Sequence, residues 1–81
     1  MSYELAKQLA DEFEFMARQY KKEHKTAVSI NIRNWIEVEA RKMKCPVNGL
    51  WSARDVANKA CEILAERLGE EYKFKLPRKL I

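Results

Sequence analysis

Five large side chains near the start of the chain, Leu5, Leu9, Phe13, Met16 and Tyr20, recur at steps of four, four, three and four. That is the period of an α-helix with one apolar stripe, and it predicts an amphipathic helix over residues 3–23. Local signals agree: Ser2 suits the N-cap, and Glu4 sits in the first turn, where the helix dipole favours an anion. Lys21, Lys22 and Lys25 lie toward the C-terminal end, where it favours cations. Phe15 falls off the stripe, on a face shared with Asp11, Arg18 and Lys22. It either meets another element or is exposed.

A second helix is predicted over 52–68. Ser52-Ala-Arg-Asp55 has the residue types of a capping box, and Val56, Ala57, Ala60, Ile63, Leu64 and Leu68 form a broad stripe before Gly69, a natural residue just past a helix end. A shorter helix is predicted over 35–44. There Asn34 and Glu37 offer a similar box, and Trp35, Ile36, Ala40 and Met43 form its apolar side until Pro46 blocks continuation. Between the first two helices in chain order, Thr26-Ala-Val-Ser-Ile-Asn-Ile-Arg33 is β-branched at alternate positions, which favours a short strand over 27–33. The helical alternative would turn Ile30 away from Val28 and Ile32. After Gly69, Tyr72, Phe74 and Leu76 alternate with lysines before a basic end, so residues 70–81 are an edge strand or an extended basic arm. The fold class is therefore mostly α, with three helices and one short strand; an all-α three-helix bundle is the alternative.

Eighty-one residues make a single small domain, and one of that size is marginal alone, so a dimer or docked partner would help it. No apolar run is long enough to span a membrane and no leader is visible, which points to a soluble cytoplasmic protein. His24, Cys45 and Cys61 come from separate segments with no close pair of ligand residues, so neither a metal site nor Cys–His catalysis is expected. Both cysteines read as reduced, with Cys61 a small buried hydrophobe in mid-helix. Glu37 and Glu39 point to different sides of a helix and form no acid–base pair. Glu39 falls near the apolar side, at the edge of the core or in an interface. No cofactor and no enzymatic activity are expected.

The net charge of +4 is moderate, and its distribution matters more. Residues 1–20 are acidic, whereas 21–25, 41–44 and 73–79 are basic clusters that would suit phosphate if they converged. In order, residues 27–68 offer an alternating strand, a capped helix, a Gly-containing loop and a second capped helix. This arrangement resembles the ribbon-helix-helix DNA-binding family of dimeric bacterial and phage repressors. The resemblance implies two protomers pairing one strand each into a ribbon that enters the major groove. Ser29, Asn31 and Arg33 would face bases, and Ser52 with the following amides would hold a backbone phosphate. Lys42 and Lys44 complete the candidate DNA contacts. The acidic first helix, Asp55 beside the phosphate site and the modest charge depart from that pattern.

The sequence thus predicts a small non-enzymatic binding module, a DNA-binding accessory regulator of phage or plasmid type acting as a homodimer. The alternative is a protein–protein interaction factor, an inhibitor or adaptor that meets a host protein through the first helix, with Phe15, Asp11 and Phe74 as contacts.

Overall fold

The computed structural model describes residues 2–43 and 52–74. Within them the chain forms three helices, α1 (Ser2–His24), α2 (Ile30–Lys42) and α3 (Ala53–Arg67). No strand occurs among the described residues. Lys44, Cys45, Trp51 and the basic end at 75–81 lie outside them.

Helix α3 is the central element. It packs along both α1 and α2, which touch each other far less. The core takes Ala6, Leu9, Ala10, Phe13 and Ala17 from α1, and Ile32, Ile36 and Ala40 from α2. From α3 come Val56, Ala57, Ala60, Cys61, Leu64 and Ala65. Leu9, Ile32, Ile36, Val56 and Leu64 are fully buried, each contributing on the order of 1.5–3 kcal/mol by leaving water. Around these few large side chains the core is lined with alanine, notably Ala6, Ala10 and Ala17 on α1. Met16, expected in the α1 stripe, is instead 42% exposed, and Tyr20 is only partly buried.

The largest departure from expectation is at residues 27–33. Ala27 and Val28 are buried in the α1–α2 connection, Ser29 is an N-cap, and Ile30–Arg33 form the first turn of α2. The Ser29 hydroxyl accepts from the Ile32 amide at 3.3 Å. The physical reason is backbone satisfaction: a lone strand leaves a row of amides and carbonyls unpaired, whereas a helix pairs its own. Helix propensities of β-branched residues fall short by only tenths of a kcal/mol each, which burial of Ile32 and Ile36 outweighs. The objection from Ile30 disappears because Val28 precedes the helix and shares no helical face with it.

The helix predicted to start at Trp35 therefore starts five residues earlier. Asn34 is not its cap; the Asn34 side chain accepts from Arg33 Nη1 at 3.0 Å. Glu37 closes no capping box and instead pairs with Arg33 and Arg41 one turn away on either side. At α3 the expectation holds. Ser52 Oγ accepts from the Asp55 amide, and Asp55 Oδ2 accepts from the Ser52 amide. Gly69 sits at φ +72°, in the left-handed region where glycine alone is unstrained. Beyond it, residues 70–74 run over the bundle as neither helix nor strand.

Candidate interaction surfaces

The DNA-facing set is divided by the fold. Ser29 is 9% exposed and occupied as a cap, and Arg33 is 1% exposed. Neither presents a side chain outward, so the base-reading face expected of Ser29, Asn31 and Arg33 does not form. Ser52 and Asp55 satisfy each other's amides, and the Asp55 carboxylate occupies the place where a phosphate would approach. Asn31 and Lys42 remain exposed, together on the outward face of α2.

That outward face was not expected to be apolar. Asn31, Trp35, Val38 and Lys42 recur at steps of four, three and four, so they line one side of the helix. Trp35 and Val38 are 47% and 49% exposed. Of the apolar side predicted for this helix, Ile36 and Ala40 are buried, while Trp35 and Met43 are not. The signal that would have separated them is the fourfold step Ile32, Ile36, Ala40, visible only once the helix is extended back to Ser29.

Helix α1 has its own outward face, formed by Gln8, Glu12, Phe15, Gln19 and Lys22, all exposed. Phe15 stands in its middle at 73% exposure, and Met16, about a quarter-turn round the helix, is 42% exposed. Asp11 does not join it as a free anion: it accepts from Arg67 Nη1 at 2.7 Å, and Glu14 accepts from the same nitrogen at 3.0 Å. Glu14 also pairs with Arg18, and the hydrogen bonds from Arg18 and then Arg67 hold its carboxyl below the ordinary value. Phe74 is 41% exposed and lies at the far end of the described C-terminal segment. Glu39 is at the rim of α2, 3.4 Å from Lys42.

Sequence reasoning missed a buried polar cluster between α2, α3 and residue 72. Arg33 Nε donates to Asn58 Oδ1 at 3.1 Å, and the Tyr72 hydroxyl donates to the same oxygen at 3.1 Å. Arg33 Nη1 pairs with Glu37, whereas Arg33 Nη2 is buried without a hydrogen-bond partner. Burial would raise the Glu37 pKa, but hydrogen bonds from Arg41 and Arg33 outweigh it and hold the carboxyl low. The readable signal was the i, i+4, i+8 ladder of Arg33, Glu37 and Arg41.

Nothing in this cluster is poised for nucleophilic chemistry. Burial pushes the Cys61 thiol up to about 12, far from a reactive thiolate. No group of three or more His, Cys, Asp or Glu side chains among the described residues is placed to hold a metal ion. No described helix is long and apolar enough to cross a membrane. Compared with protein-family models, curated proteins and solved structures, the chain finds no match.

Proposed function

We propose that this chain is a non-enzymatic protein-docking module that offers exposed aromatic side chains on the outer faces of its helices. The carrying observation is Phe15, 73% exposed at the centre of the α1 outer face. An aromatic ring held on a rigid helix loses little freedom on binding, which suits it to anchor a partner. The partner is a host protein or a second copy of the chain. A photo-crosslinking residue at position 15 tests this in cells, with the same residue at Lys22 as the control. A discrete adduct from position 15 that is absent from position 22 is the expected result. Light scattering of the purified protein shows whether the adduct is a homodimer. Equal or no adducts at the two positions would end the reading.

A second reading is kept by a separate observation: Asn31, Arg41 and Lys42 are exposed on α2. These are groups that contact adenine and phosphate, so a DNA-binding regulator would use α2 rather than a ribbon. Anisotropy of a labelled duplex across a salt series decides it. Binding that weakens with salt, with a log–log slope lowered by about one in Lys42→Ala, supports DNA. No binding at low salt removes it.

A further inference from the structure

The segment after α3 is held to the bundle in an unusual way. Once the Glu70 amide has bonded to the Ala65 carbonyl at 2.8 Å, residues 70–74 belong to no helix or strand. Two inward side chains fasten them. Glu70 accepts from the Ala27 amide at 2.8 and 2.9 Å and from the Thr26 hydroxyl at 3.1 Å, and lies 3.3 Å from Lys21 Nζ. It thereby ties the segment to α1 and to the α1–α2 connection. Tyr72 packs against the core, and its one hydroxyl proton is shared between Asn58 Oδ1 on α3, at 3.1 Å, and the Phe74 carbonyl within the segment, at 2.6 Å. Glu71 and Lys73, between and beyond these anchors, face solvent.

One feature opposes this closed position. Arg33 Nη2 lies buried and unpaired in the cluster that Tyr72 completes, although its desolvation demands a partner. On its outer side the segment borders an open cleft of about 470 Å³ lined by Glu62, Ala65, Glu66, Glu70, Glu71 and Tyr72. The segment therefore has few backbone bonds, two discrete anchors and an incompletely satisfied closed state, the marks of a unit that opens below the global unfolding threshold.

We infer that Glu70–Phe74 is a releasable strap: it opens as a unit while the three helices stay folded, and opening hydrates Arg33 and uncovers Asn58 and Cys61. This is a conformational device separate from the docking face at Phe15, and it stands whether or not that face is used.

Cys61 reports on it directly, being fully buried in the closed state. In a Cys45→Ser background Cys61 is the sole thiol, and its labelling by a maleimide is followed across a urea series beside circular dichroism. The expected result is labelling at low urea that is faster than the globally unfolded population allows and nearly independent of urea. Glu70→Ala speeds it by about tenfold or more and Tyr72→Phe by about threefold, the effects of losing charged and neutral hydrogen bonds respectively. Glu71→Ala, on the exposed side, leaves it unchanged. Labelling that follows the unfolded fraction at every urea concentration, or variants that speed it only as much as they lower the dichroism midpoint, would overturn the strap.

Discussion

The two seams that hold α3 in place handle charge in opposite ways. Along α1 the ions are at the rim: Arg67 reaches Asp11 and Glu14 from a partly exposed position, over an interface of alanine, leucine and phenylalanine. Along α2 they are inside, with Arg33 fully enclosed against Glu37 and Asn58. The first arrangement adds little to stability and can be lost without leaving a buried charge behind. The second is costly to assemble and more costly to break, because each partner is the other's substitute for water. The α2 seam is thus where register between two helices is specified by polar contacts, and the α1 seam is where it is specified by shape.

The largest effect predicted from this contrast is for Arg33→Ala, which leaves Glu37 with Arg41 as its one cation among the described residues and removes the α2 donor to Asn58. A loss of about 3–5 kcal/mol is expected, a large part of what a small domain possesses, read from urea unfolding. The double variant Arg33→Met with Glu37→Leu, which removes both charges and keeps the volume, should regain most of that loss. If Arg33→Ala cost no more than Arg67→Ala, the distinction between the seams would fail.

Acid should come next. Glu37, Glu70 and Glu14 all have carboxyls held below the ordinary value of 4.5. For Glu70 burial pushes upward, but the Ala27 amide, Thr26 and Lys21 outweigh it. A depressed carboxyl contributes stability that is complete above its unfolded value and is lost as pH falls through its folded one. The Tm should therefore be level above about pH 5 and fall progressively below 4.5. In Glu37→Gln, already destabilised at neutral pH, the fall should be shallower; an acid limb parallel to that of the wild type would assign the loss elsewhere.

Smaller still is Arg67→Ala, for which the Tm should drop by a few degrees at low salt. The smallest effect is that of salt itself. Molar sodium chloride should erase most of the difference between Arg67→Ala and wild type, because exposed pairs are screened, and should leave the deficit of Arg33→Ala almost intact. Equal salt sensitivity of the two variants would mean that Arg33 is solvated.

Much of this fold was legible because its signals are local. The α1 helix, the Ser52–Asp55 box and Gly69 rest on near neighbours in the chain and appear where the residues place them, although the buried face of α1 takes Ala6, Ala10 and Ala17 in place of Met16. The N-terminus of α2 was misread because Asn34 with Glu37 matched a capping pattern, whereas Ser29, read as a strand residue, had only a hydroxyl to mark it as the cap. What chose between them was burial of Ile32 against α3, a contact across the fold that residues 26–37 do not contain. The same error hid the candidate surface, since a helix begun at Trp35 gives no turn on which Arg33 faces inward and Asn31 outward. Phe15 was readable as off-stripe because it lies far from the predicted stripe and also far from the buried face that α1 presents. The joint use of Asn58 by Arg33 and Tyr72 was beyond local reading, being a meeting of three segments.

The alanine lining of α1 bears on where this domain can move. An alanine side chain has no rotamer to freeze, so docking Ala6, Ala10 and Ala17 sets almost no side-chain entropy against folding. It also leaves no flexible filler to absorb a change of shape. Helices α1 and α3 should consequently behave as one stiff body, with Ala10→Leu felt as a wedge rather than as added grease. Conformational freedom in this domain is then left to what lies outside that body: the outer side of α2 and the chain that leaves Gly69.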